Sequence, residues 1–182
     1  EYKLMGLAPY GNPQSEQTKE YRRLIVENLV SIRDDGSIWI NQEYFNYATG
    51  LRMIKADKWE KLFGIKVLEA DGKIDQRHCN MALAIQQVTE EIVIKMAREA
   101  KRITGADNLC MAGGVALNCV ANGKLLKEGI FKDLFIQPAS GDAGGALGAA
   151  QMAHYLYFDQ ERRVDDKPVA EHGFYLGPDF SE

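Results

Sequence analysis

Asn108-Leu-Cys-Met-Ala-Gly-Gly-Val-Ala-Leu-Asn-Cys-Val-Ala-Asn-Gly123, followed by Gln137-Pro-Ala-Ser-Gly-Asp-Ala-Gly-Gly-Ala-Leu-Gly-Ala-Ala150, decides the reading of this chain. In each segment an apolar run gives way to glycines, and a helical pattern follows. Asn108 to Ala112 and Leu134 to Ile136 predict strands; Val115 to Gly129 and Asp142 to Phe158 predict helices. The two strand-to-helix junctions lie about 30 residues apart, the size of a βαβ unit. Such a junction brings backbone N–H groups to the positive end of a helix, where an anion such as a phosphate is stabilised. The stretch therefore predicts a nucleotide site with one metal ligand, supported by the rest of the chain.

The residue types at the junctions sharpen that expectation. Gly113 and Gly114 present bare backbone, and a side chain at either would block a ribose or base. Asn118, placed one turn into the predicted helix, carries both donors and acceptors and so suits a ribose hydroxyl or a base edge. A tight turn followed by a packing glycine is the plainer reading of the same residues. Asp142 fits two roles: N-cap of the second helix, or the carboxylate that holds a divalent cation against phosphate oxygens. That helix carries Gly144, Gly145, Ala146, Gly148, Ala149, Ala150 and Ala153. Each interior glycine costs roughly 0.5–1 kcal/mol relative to alanine, which points to close approach by backbone or ligand.

Working outward, Gln76 to Ile103 is the longest helical pattern. Met81, Leu83 to Ile85, Val88, Ile92, Val93, Met96, Ala97 and Ala100 repeat at helical spacing. Gln86, Gln87, Glu90, Glu91, Lys95, Arg98 and Glu99 are placed on its outer face, and Gly105 stops it. His78, at the start, is read as structural. Glu16 to Leu29 predicts a helix on Tyr21, Leu24, Ile25 and Leu29. Leu29 to Ile40 predicts a hairpin around Asp34-Asp35-Gly36, with Ile38 and Trp39 covering the helix. Trp59 to Phe63 predicts a short amphipathic helix. Tyr44, Phe45 and Tyr47 show no clear period and read either as a binding face or, the commoner use, as packing residues. Glu1 to Pro13 reads as a loop after a short helical turn. Gln160 to Lys167 reads as a linker, and Val169 to Gly177 as a final strand.

The totals fit one ordinary domain: 182 residues, 46% hydrophobic and 26% charged, enough apolar content for a core and too much for disorder. The net charge of −4 lacks the basic footprint of a nucleic-acid binder, so no nucleic-acid partner is expected. No run of 18 apolar residues predicts a membrane span, and no leader pattern is legible in the opening residues. Cys79, Cys110 and Cys119 have neither disulfide-framework nor zinc spacing. They are read as reduced, buried thiols, which fits a cytoplasmic protein. The chain opens on Glu1 within a motif and stops in mid-pattern, so a piece of a longer protein is expected.

Leu109-Cys-Met-Ala-Gly-Gly-Val-Ala116 resembles the adenosine motif of the actin-like ATPase superfamily, which includes the sugar kinases. Gly141-Asp-Ala-Gly-Gly-Ala-Leu-Gly-Ala-Ala150 resembles that superfamily's late connecting helix. Three segments in order are similar to one branch, the O-carbamoyltransferases of the nodulation-protein U, cephamycin and tobramycin type. They are Glu1-Tyr-Lys-Leu-Met-Gly-Leu-Ala-Pro-Tyr-Gly11, Gly113 to Leu125, and Gln137 to Ala150. The resemblance runs over nearly the whole chain.

That resemblance implies an α/β, ribonuclease H-like fold, one lobe of a duplicated two-lobe domain. Residues 1–159 would form the C-terminal lobe, and 160–182 the linker and start of the next domain. It implies a carbamoyl-adenylate, made from carbamoyl phosphate and ATP by a separate adenylate-forming domain. The carbamoyl group would pass from it to a hydroxyl of a sugar or natural-product acceptor. It matches Asp142 to a carboxylate ligand of a divalent metal, taken to be iron. Asn118 matches an adenosine contact, Gly113 and Gly114 the loop beneath it, and Gly11 a glycine near the ribose. The family's upstream His-x-x-x-His partner motif is absent: His78, His154 and His172 lack its spacing. The chain alone is therefore expected to be inactive without an N-terminal lobe and an adenylate-forming domain. Rival readings are a sugar or acetate kinase, a tRNA threonylcarbamoyl transferase, and a non-catalytic nucleotide-binding module.

Overall fold

The computed structural model describes residues 2–68, 72–162 and 178. The chain divides into two compact units, one of residues 1–109 and 118–134, the other of residues 110–117 and 135–182.

The first unit is built on one long helix. Its helices are α1 (Tyr2–Leu7), α2 (Glu16–Leu24), α3 (Ala56–Phe63), α4 (Gln76–Thr104) and α5 (Cys119–Lys127). α4 is started by Asp75, whose carboxylate accepts from the Arg77 and His78 backbone while the His78 ring meets the Asp75 N–H in a capping box. It ends at Gly105 in the left-handed conformation, φ +63°, as its sequence predicts. His78 thus has a structural part. α1, the 3-10 turn Ala8–Tyr10, α2 and α5 all pack on α4.

The core forms where α2 and α3 meet α4. Tyr21, Ile25, Leu29, Phe63, Ala84 and Val88 are buried together. Tyr21 and Phe63 meet edge to face at 5.9 Å, and Trp59 and Phe45 join them as the aromatic reading of this region expects. The helix from Glu16 loosens into a π turn at Ile25–Leu29, then enters the predicted hairpin. Strands β1 (Val30–Ile32) and β2 (Ile38–Ile40) pair antiparallel, with Ser31 opposite Trp39. Gly36 takes φ +78° in the turn.

Several expectations are corrected. Ile38 and Trp39 are exposed and do not cover the helix. The opening helical turn is longer than expected, α1 and the 3-10 turn running without a break to Tyr10, and the expected loop follows over residues 11–15. Gln86 and Glu90, placed by periodicity on the outer face of α4, are buried. α4 has a second buried stripe through Ala82, Gln86, Glu90, Val93 and Ala97, and α5 packs on α4. Of the thiols only Cys79 is buried; Cys110 and Cys119 are exposed. The helix expected from Val115 begins instead at Cys119, after a 3-10 turn over Gly114–Leu117. Its buried residues are Ala121 and Leu125, while Leu117, Val120 and Leu126 are exposed.

Strands β3 (Asn108–Met111) and β4 (Asp133–Ile136) lie side by side as a two-stranded sheet. The boundary between the two units falls within both strands. In the second unit, helix α6 runs from Gly144 to Met152, two residues later than the pattern suggests, and continues as a π turn over Ala153–Tyr157. None of its residues is buried. Among the described residues no helix is long and apolar enough to cross a membrane. The final strand expected at 169–177 lies outside the described residues, as does most of the expected linker.

Candidate functional site

In the second unit the two glycine turns are joined by backbone. Gly113 takes φ +100°, a conformation L side chains rarely adopt. Its N–H donates to the Ser140 carbonyl at 2.8 Å, and its own carbonyl accepts from Ala116 N at 3.1 Å. A Cβ placed on Gly141 would lie 3.9 Å from Gly114 Cα, ordinary contact. Gly113, Gly114 and the Ser140–Gly141 turn are therefore brought together, as their shared motif character predicts.

At the turns is a cavity of about 490 Å³, lined by Gln137, Ser140, Gly141, Gly144, Gly145 and Gly148 among others. Gly144 is a packing requirement there: a Cβ would stand 2.5 Å from the Ala139 carbonyl oxygen. Gly145 and Gly148 have open space. Two polar atoms on this lining are buried without a hydrogen-bond partner, Ser140 Oγ and Gln137 Oε1. An unmet buried polar atom costs about 1–3 kcal/mol, so a ligand group that satisfies both would gain from them. Neither residue was singled out by sequence reasoning, although Ser140 stands inside the quoted motif.

Asp142 is exposed. The N-cap of α6 is Ala143, and no side chain caps that helix. The capping reading of Asp142 is thus corrected: the helix starts one residue too late for its carboxylate to serve. The Asp142 carbonyl instead accepts from Gly145 N at 3.2 Å, while Gly144 N and Ala146 N turn back on the Gly141 and Ala143 carbonyls. These short-range bonds tighten the first turn and engage its donors, so the helix end alone is a weaker anion cradle than its glycines imply. Among the described residues no group of three His, Cys, Asp or Glu side chains could hold a metal ion.

Asn118 and Gly11 belong to the first unit. Asn118 is the N-cap of α5, not a residue one turn in: its Oδ1 accepts from Ala121 N at 3.0 Å. Its carboxamide also pairs head to tail with that of Gln86, Nδ2 donating to Oε1 at 2.9 Å and Oδ1 accepting from Nε2 at 3.0 Å. Gly11 lies against α4, where a Cβ would stand 2.6 Å from Leu83 Cβ and 2.7 Å from the Cys79 carbonyl oxygen. The next residue is fastened there too, Asn12 N donating to the buried Asn80 Oδ1 at 2.9 Å.

Residues 1–151 match the family described as carbamoyltransferase N-terminus. The chain is 50% identical, over its full length, to an uncharacterized protein of Synechocystis, of which it covers 28%. It is 39% identical over 152 residues to nodulation protein NolO of Bradyrhizobium diazoefficiens, covering 84% of this chain and 24% of that protein. It is 40% identical over 152 residues to nodulation protein NolNO of Sinorhizobium fredii, covering 84% of this chain and 20% of that protein. The chain belongs to the carbamoyltransferase N-terminus family, in the branch of the nodulation-protein relatives. It spans about a quarter of the length of these relatives.

Proposed function

We propose that this chain forms part of an O-carbamoyltransferase, and that its joined glycine turns carry the adenylate end of the site. The observation that carries the reading is the Gly113 to Ser140 hydrogen bond, in a chain that matches the carbamoyltransferase family over 1–151. The fold we read as one lobe of an actin-like ATPase domain. The remaining substrates follow from the family: ATP and carbamoyl phosphate to make a carbamoyl-adenylate, and a hydroxylated sugar or natural product to receive the group.

The cavity at the turns suits a nucleotide in two respects. Its glycines leave room for a ligand backbone, and Ser140 Oγ and Gln137 Oε1 offer a hydroxyl and a carbonyl that lack partners. Gln137 accepts only through that oxygen, so the group facing it must donate, as a ribose hydroxyl or an amide N–H does. Gly113 and Gly114 keep side chains away from the ligand path at the turns; in the first unit the family resemblance makes Asn118 an adenosine contact and Gly11 a glycine near the ribose. A divalent cation, iron by family analogy, would supply Lewis-acid polarisation of the carbamoyl oxygen when bound. Asp142, exposed and unused as a cap, is free to act as one of its ligands. In the transfer itself the acceptor oxygen bonds to the carbamoyl carbon, the bond from that carbon to the adenylate phosphate oxygen breaks, AMP departs, and the hydroxyl proton is released.

The test is transfer of a labelled carbamoyl group by the full-length protein, given ATP, carbamoyl phosphate and a panel of hydroxylated acceptors. We expect an ATP-dependent carbamate ester, and no turnover by residues 1–182 alone. Asp142→Asn in the full-length protein should lower the rate about 100-fold or more, the scale of losing one charge-stabilising group, with unchanged melting. ATP binding without transfer would replace this reading with a nucleotide-binding module. A phosphorylated sugar would replace it with a kinase.

A further inference from the structure

Asn118 is held by a relay of side chains whose donor and acceptor roles leave no choice of orientation. Lys124 Nζ, a donor only, meets Glu90 Oε2. Glu90 is an acceptor only, and its Oε1 takes a hydrogen from Gln86 Nε2 at 3.0 Å. That contact fixes which end of the Gln86 carboxamide is nitrogen. The second Nε2 hydrogen goes to Asn118 Oδ1 at 3.0 Å, and Gln86 Oε1 accepts from Asn118 Nδ2 at 2.9 Å. From the other side, Ala121 N independently demands an oxygen at Asn118 Oδ1. Relay and helix cap agree, and each excludes the flipped amide. Gln86 and Glu90 are 3% and 6% exposed, a burial that polar groups keep only when satisfied.

One consequence is chemical. Both acceptor positions of Asn118 Oδ1 are occupied and one of its two Nδ2 hydrogens is used, so among the described residues a single N–H is left to offer a ligand. Asn118 alone could donate or accept; held by Gln86, it can only donate.

We propose that Gln86 is a positioning residue, and that through it the Lys124–Glu90 pair makes Asn118 a one-hydrogen donor selective for an acceptor atom of the bound nucleoside, such as a ring nitrogen. This inference rests on the reading of Asn118 as an adenosine contact. It concerns residues far along the chain that sequence pattern places on a solvent face.

The experiment is calorimetric titration of the full-length protein with ATP and with deaza-ATP analogues that each lack one adenine ring nitrogen, fitted to two sites because the adenylate-forming domain also takes ATP; the affinities compared are those of the site that responds to Asn118→Asp. Wild type should bind ATP and lose about 10-fold in affinity for one analogue, the loss of a bidentate-free single hydrogen bond of about 1.4 kcal/mol. Asn118→Asp keeps the cap acceptor and removes the donor, and should weaken ATP to that analogue's level. Gln86→Met keeps the volume and frees the amide; it should weaken ATP several-fold, abolish discrimination between ATP and the analogue, and add nothing when combined with Asn118→Asp. Should Gln86→Met fail to fold, Lys124→Met, at the half-exposed end of the relay, should show the same loss of discrimination in smaller degree. A Gln86 or Lys124 variant that weakens ATP and analogue equally, or leaves both at wild-type affinity, overturns the positioning role while Asn118 keeps its contact. Wild type that discriminates among none of the analogues overturns the selectivity. Wild type that does not bind ATP overturns the adenosine reading of Asn118 and this inference with it.

Discussion

The backbone N–H of Gly113 reaches the carbonyl of Ser140 at 2.8 Å, and no side chain takes part in that bond. The register between the two glycine turns is therefore written in main chain. Gly113 is needed for its φ of +100°, whereas Gly144 is needed for space, because the Ala139 carbonyl sits where its Cβ would go. The two glycines, one from each motif, thus answer to different physical demands, and Gly145, next to Gly144, answers to neither.

That difference is measurable. Gly144→Ala should destabilise the chain by about 1–3 kcal/mol, the usual cost of forcing atoms into filled space. Gly145→Ala should be neutral or stabilising by up to about 1 kcal/mol, since its Cβ meets nothing within 4 Å and alanine favours helix. Urea titration of the two variants decides it. Equal midpoints would mean that the Ala139 carbonyl moves aside at no cost and that the tight fit has no weight.

Gly11 allows a similar separation of roles. Its Cβ would collide with Leu83 and the Cys79 carbonyl on α4, beside the anchor that Asn12 makes to Asn80 at 2.9 Å. Gly11→Ala should cost about 1–3 kcal/mol by the same overpacking argument, while Gly6→Ala, in open space on α1, should cost nothing measurable. If Gly11→Ala melts as wild type yet binds ATP poorly, the glycine is kept for the ligand and not for the helix contact.

Much of this architecture is legible in the sequence because its causes are local. The apolar period and Gly105 announce α4, Asp34-Asp35-Gly36 announces the hairpin, and the glycine clusters announce the joined turns. What escaped notice depends on partners distant in sequence. Gln86 and Glu90 look like solvent residues by period, and only the arrival of Asn118 and Lys124, more than thirty positions later, makes their burial tolerable. The late start of α5 has the same origin: Asn118 caps the helix through Ala121 and fixes its first residue at Cys119, whereas apolar spacing alone extends the pattern back to Val115. For Asp142 the motif shows a carboxylate at a helix mouth, but whether it caps depends on backbone angles two residues on, which composition does not encode.

The start of α4 makes stability depend on acid. Asp75 accepts from Arg77 Nε at 3.0 Å and Nη2 at 2.7 Å, and from Arg77 N at 2.9 Å. The Arg77 guanidinium, foremost, holds the Asp75 carboxyl well below its ordinary value of 3.8. A carboxyl depressed in the folded state binds fewer protons there than in the unfolded chain. Its stabilising contribution is complete above the ordinary value and is lost as pH falls below it. Asp75→Asn keeps a cap acceptor but has no charge to titrate. The variant should melt a few degrees earlier than wild type at neutral pH, and the gap should narrow as pH is lowered from about 5 to about 3. Thermal melts followed by circular dichroism at each pH measure this. A gap that stays constant across that range would show that the Asp75 charge contributes nothing to α4 beyond what a neutral cap supplies.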